Sequence, residues 1–200
     1  MKSITLYFFQ NQVEKIEKYL NLAIEDIDDS IKQIDKSDKN YYYDEIFEDV
    51  NKIEVLELMI INLHKVIEKL IAGELKRLSK DHTIKTFKKY KVFEKFDKDF
   101  NINLKEISYY KSYLELTFIA NEIKHGNLIS YFSKLKTDLI HGNDKIINNR
   151  KNEIINLNVP NDLLQSRIIN YDNLQKFYTR VKKEVFFFSE ELIKESEKYD

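Results

Sequence analysis

Three glycines and one proline in 200 residues leave this chain almost without punctuation. Turn-rich β-folds need such residues at their reversals, because glycine supplies positive φ and proline presets the turn. Long helices need neither, so the scarcity points to an all-α fold. Apolar residues recur at intervals of three and four over long stretches, which is the helical period. Hydrophobic residues make up 42% of the chain, enough for a packed core rather than a disordered polymer, and the length fits one domain.

The period predicts a first helix from about Asn11 to Asp35, on Val13, Ile16, Tyr19, Leu20, Ala23, Ile24, Ile27 and Ile31. A polar break at Ser37 to Asn40 follows. Asp44 to Ser79 reads as one long helix or two, with a wide stripe from Ile53 to Leu75 that is apolar on more than one side near Leu56 to Leu63, as in a central bundle helix. Lys85 to Phe100 is basic and aromatic with helical period, and Asn101 to Asn103 breaks it. The next helix, from near Ser108 to His125, is apolar on several sides and is expected to be the most buried; Gly126 reads as its C-cap. Residues 127–171 read as an irregular crossover holding a short helix at Ser130 to Leu135. Asp172 reads as the N-cap of a last helix. There Val181, Val185, Phe188 and Leu192 face inward, and the charged end from Glu190 is expected to fray. The whole is a bundle of about five or six helices in one domain: an N-terminal helix within 1–40, core helices in 41–126, the crossover in 127–171 and a C-terminal helix in 172–200.

Net charge is −1, so no global basic field calls for nucleic acid. Zero cysteines remove disulfides, thiolate metal sites and cysteine nucleophiles, and suit a reducing cytoplasm. No run approaches the ~20 apolar residues of a membrane span, and the N-terminus lacks a signal-peptide pattern. Four scattered histidines give no metal-ligand spacing, and no phosphate loop or nucleophile elbow is present, so neither metal nor cofactor is expected.

Polar chemistry, a buried-looking helix and a stop signal coincide at Asn121 to Gly126. Asn121 and His125 stand four apart, on one helical face. One reading is structural: His125 favours the helix C-terminal dipole and Asn121 bonds a neighbouring turn. The other makes His125 a general acid–base, Asn121 its orienting group and Lys124 a cation for phosphate. His64 and Glu68 form a second four-apart pair. It is either a helix-surface pair or, if that helix packs on the His125 helix, a means of polarising His125. His141 lies in the loose region and reads as a loop residue. The lysines of Lys85 to Lys98 can track a nucleic-acid backbone, or form a solvated helix face diluted by Glu94, Asp97 and Asp99.

The segment Ala120-Asn121-Glu122-Ile123-Lys124-His125-Gly126, with Ser130 to Leu139 after it and Asn62 to Leu70 before it, resembles the HEPN superfamily of prokaryotic helical proteins. The likeness spans roughly Leu56 to Leu192. It implies a helical bundle, homodimeric, of the antiviral-defence or toxin–antitoxin type, that binds RNA or a partner protein encoded nearby. Many members are metal-independent ribonucleases in which an arginine steadies phosphate and a histidine four to six residues on moves protons. Asn121 and His125 match the polar and histidine positions. Ala120 stands where the arginine is expected, and Thr117 fills the other upstream place, so the resemblance implies binding more directly than catalysis. Endoribonuclease action through His125, assisted by Asn121 and Lys124 with His64, Glu68 and Thr117 supporting, is one alternative. A regulatory or scaffold subunit is the other.

Overall fold

Five α-helices occur among the residues that the computed structural model describes, 4–34, 37, 41–79, 89–124 and 171–199. They are α1 (Ile4–Gln33), α2 (Tyr41–Ser79), α3 (Lys89–Phe100), α4 (Tyr110–Lys124) and α5 (Tyr171–Glu197), with a single 3-10 turn, Leu104–Glu106, ahead of α4. No strand occurs among the described residues, and the fold is an all-α bundle. No helix among them is long and apolar enough to cross a membrane. His125, Gly126, His141, the Ser130 to Leu135 segment and residues 127–170 of the crossover lie outside the described residues.

The centre of the bundle is α2, which touches α1, α3, α4 and α5. It is one helix, not two. Leu56, Ile60, Leu63, Ile67, Ile71 and Leu75 run down its core side at intervals of three and four, all fully buried. Gly73 does not break it, since glycine only lowers helix propensity and the position is open, with nothing near a hypothetical Cβ. α4 and α5 close the core from the other side with Tyr113, Leu116, Ile119, Ala120, Val181, Val185, Phe188 and Leu192. Tyr113 stacks on Phe188 with ring centroids 5.4 Å apart and planes 7° apart. α4 is the buried helix that the apolar run from Tyr113 to Ala120 implies.

Three boundaries differ from the sequence expectation. The first helix starts at Ile4 rather than near Asn11, because Leu6, Phe9 and Val13 carry the buried stripe one and a half turns further back. Asp172 is not a cap, because α5 already includes Tyr171 before it. The end of α5 does not fray at Glu190. Ser196 is buried there and donates to Glu74 on α2 at 3.0 Å, while Arg77 reaches both Glu74 (3.0 Å) and Ser196 (2.8 Å). The break after α3 is as expected. Asn101 takes φ 51°, and the amides of Asn101 and Ile102 return to the carbonyls of Asp97 and Phe96.

Candidate functional site

Two polar clusters sit on α4, one at each end. At its C-terminal end, α4 packs on α2 and brings together residues 60 positions apart. His64 is 2% exposed and faces α4 because it belongs to the same stripe as Leu63 and Ile67. Its Nδ1 lies 3.5 Å from the Lys124 ammonium, and its Nε2 lies 3.4 Å from Glu68 Oε1. The imidazole therefore bridges a carboxylate and a cation. The tautomer with its proton on Nε2 leaves the Nδ1 lone pair toward Lys124, and the Glu68 contact is one of proximity rather than a hydrogen bond. Asn121 and Lys124 are themselves exposed. The end of α4 thus presents an amide and an ammonium to solvent, the latter steadied from beneath by a buried ring.

The remaining sequence candidates fall differently. Thr117 is buried and donates its hydroxyl to the Tyr113 carbonyl at 2.8 Å, so it faces the core. Ala120, standing at the arginine position of the resembled motif, is fully buried against the core and could not carry a guanidinium to the surface. His125, one residue beyond Lys124, lies outside the described residues. Among the described residues no group of histidines and acids has the arrangement to hold a metal ion.

The second cluster has no counterpart in the sequence reading. On α4, Ser112 and Glu115 stand three apart; on α5, Arg180 and Glu184 stand four apart. Where the two helices meet, Arg180 donates to Glu184 at 2.7 Å and to Glu115 at 2.9 Å, and Ser112 donates to Glu184 at 2.8 Å. Glu115 is only 2% exposed, and its second oxygen has no hydrogen-bond partner among the described residues. Burial pushes its carboxyl up to about 7, a rise that Arg180 partly opposes. Above the cluster lies a half-open cleft of about 400 Å³, bounded also by Lys105, Tyr109 and Lys111. Tyr109 opens α4: its carbonyl accepts from the amides of Ser112 (3.0 Å) and Tyr113 (3.4 Å), and its φ of 64° is unusual for a bulky side chain.

One signal for this cluster was present in the sequence. Glu115 is the only charged residue between Leu114 and Ala120, in the helix expected to be most buried, and a buried carboxylate requires a partner. The partner lies 65 positions away, across the crossover. No protein-family model, curated protein or solved structure matches the chain.

Proposed function

We propose that this chain is a HEPN-like helical protein of the defence or toxin–antitoxin type, working as a homodimer, which binds RNA through the C-terminal end of α4. The observation that carries the reading is the placement of Lys124. Its ammonium lies 3.5 Å from Nδ1 of a buried histidine whose other ring nitrogen is 3.4 Å from a carboxylate, and the lysine, itself exposed, stands one turn from the exposed Asn121. A cation held in place gives a phosphate contact, and a neighbouring amide gives a hydrogen-bonding partner for sugar or base. Binding to a partner protein encoded nearby is the neighbouring reading, on the same surface.

Binding is favoured over cleavage because the two positions from which an arginine would serve the motif are occupied by Ala120 and Thr117, both facing the core. A lysine lacks the planar fork that grips two phosphate oxygens, so any cleavage through His125 with Lys124 in that role would be slow.

The test is retention of single-stranded RNA against salt. Wild-type protein binds, and log affinity falls linearly with log salt. Lys124→Ala weakens binding and reduces the slope by about one, the signature of a lost phosphate contact. RNA that passes unretained at low salt overturns the RNA reading, and specific co-purification of a neighbouring gene product would then favour the partner-protein surface. The same RNA, incubated in EDTA, reports catalysis: cutting by wild type but not by His125→Ala would make the protein a metal-independent endoribonuclease.

A further inference from the structure

The outer face of α1 is built on a repeat of seven residues. Phe8, Lys15, Leu22 and Asp29 form one line along it. Gln12, Tyr19, Asp26 and Gln33 form a second line, each four residues beyond its neighbour in the first. Every residue of both lines is exposed, and the pair of lines lies on the far side of the helix from Leu6, Phe9 and Val13, which enter the core. Two lines in this relation are the d and a positions of a heptad, the seam along which one helix receives another. Phe8, Tyr19 and Leu22 of the seam are 61%, 62% and 48% exposed. Single exposed apolar side chains are ordinary, but several on one stripe mark a surface that meets another.

Charge selects the occupant and its direction. Consider a second copy of α1 lying antiparallel on the first, with a two-fold axis between Tyr19 and Leu22. Each a position then meets a d position of the other copy, and every contact is made twice. Tyr19 falls opposite the partner's Leu22, Lys15 opposite the partner's Asp26, Gln12 opposite the partner's Asp29 and Phe8 opposite the partner's Gln33. Lys15 and Asp26 make no ion pair within the chain among the described residues, so each brings an uncompensated charge to the other. Asp29 already pairs with Lys32 of its own helix at 2.8 Å and needs only the amide of Gln12. A parallel pair would instead set Lys15 against Lys15 and Asp26 against Asp26, where like charges repel. Polar layers in such a seam lower stability but fix one register. The stretch from Phe8 to Gln33 is ~40 Å long, more than three heptads.

We propose that the outer face of α1 is an isologous interface, on which a second copy of this chain packs antiparallel with Tyr19 against Leu22 and Lys15 against Asp26. The inference rests on the homodimer of the proposed function and names its interface. α1 lies outside the stretch from Leu56 to Leu192 that carries the family resemblance, and the pairing uses no residue of the Lys124 surface.

Sedimentation velocity of the full chain, over a range of concentrations and at low and high salt, reads the association. Wild-type protein sediments at twice the chain mass, and salt weakens the pair because its charged layers are screened. Leu22→Ser, at an exposed site, removes an apolar contact from both halves of the interface and weakens association on the order of tenfold or more. Lys15→Glu and Asp26→Lys each set like charges opposite one another, and each variant alone is monomeric at concentrations where wild type is dimeric. An equal mixture of the two variants associates again, because pairing one with the other restores opposite charges in both layers. Mixing would not repair a folding defect, and circular dichroism checks each variant separately. A wild-type chain that stays monomeric at every concentration overturns the interface and the homodimer together. A dimer indifferent to Leu22→Ser and to both charge reversals overturns this interface and leaves the homodimer on another face. Variants that dissociate but do not recover on mixing overturn the proposed pairing. RNA retention is read through Lys124→Ala, so that reading and this one can fail separately.

Discussion

A buried carboxylate sets the sharpest constraint at the scale of single residues. Glu115 has one ionic partner, Arg180, and lies deep enough that its carboxyl rises from 4.5 to about 7, burial being the larger influence. A raised acid binds more protons in the folded state than in the unfolded one between those two values. The stability this proton gives is therefore fully present below about pH 4.5, and is lost as pH climbs through about 7. Arg180, Glu184 and Ser112 face the group, and Glu184 adds a like charge that works in the same direction as burial. Glu115→Gln abolishes the titration while keeping shape. Urea denaturation of both proteins at pH 5 and pH 8 is expected to show the difference in stability shifting toward the glutamine variant at the higher pH, by about 1–3 kcal/mol. A shift the other way would mean that the ionised pair with Arg180 outweighs the desolvation of Glu115. His64 shows the opposite arrangement, with a carboxylate on one ring nitrogen and a cation on the other. The sequence raised His64 and Glu68 as a pair on spacing alone, and left open whether their helix packs on α4; that packing is what brings Lys124 into the pair. Glu115 is hidden from a reading by period, because it is the one charge inside an apolar run.

Among whole helices, apolar spacing read correctly wherever a stripe met the core, and less well where an end is held by polar side chains from another helix. α2, α4 and the inward face of α5 were legible because burial alone dictates intervals of three and four. The C-terminal turns of α5 look like a solvated, fraying segment, since Glu190, Glu191, Lys194 and Glu195 dominate them. What holds them is a contact across more than a hundred residues: Ser196 with Glu74, and Arg77 with both. Glu74 is almost wholly buried, and these two donors supply its hydrogen bonds. Arg77→Ala is expected to cost about 2–3 kcal/mol, less than a fully buried ion pair would because the guanidinium is one-third exposed. Lys194→Ala removes an exposed partner of Glu191 in the same helix and is expected to change stability by under about 0.5 kcal/mol. Denaturant midpoints of the two variants decide the matter. Equal, small effects would return the end of α5 to the frayed segment that its composition suggests.

Taken as a whole molecule, the bundle has an uneven distribution of attachment. α2, α4 and α5 share the continuous core, which α1 joins from one side through Leu6, Phe9 and Val13 as it lies along α2, while it meets α5 at few points. Most of its outer face is polar, and it leaves Tyr7, Phe8, Tyr19 and Leu22 exposed. The polar link from α1 to α5 centres on one side chain, beside the ring contact of Phe9 with Phe186: Glu17 accepts from the Tyr178 hydroxyl and from the Lys182 ammonium, each at 2.7 Å. Tyr178 is itself buried, so removing its acceptor leaves a polar group without a partner at depth, at a cost of about 1–3 kcal/mol. Lys52 of α2, mostly buried, also reaches Asp28 of α1, whose carboxylate is half exposed and therefore screened by solvent. Proteins open in cooperative units whose free energies follow their buried contacts. α1 contributes only Leu6, Phe9 and Val13 to the buried core, against the longer row from Leu56 to Leu75 on α2, and is expected to open separately, below the free energy of global unfolding, while α2, α4 and α5 exchange only through the global event. Native-state hydrogen exchange followed by mass spectrometry resolves this helix by helix. Glu17→Ala is expected to accelerate exchange throughout α1 roughly tenfold or more and to alter α2 and α4 much less, because about 1.4 kcal/mol corresponds to a factor of ten in the opening equilibrium. Exchange that accelerated uniformly in all the helices would show instead that α1 belongs to the same cooperative unit as the core, despite meeting α5 at few points.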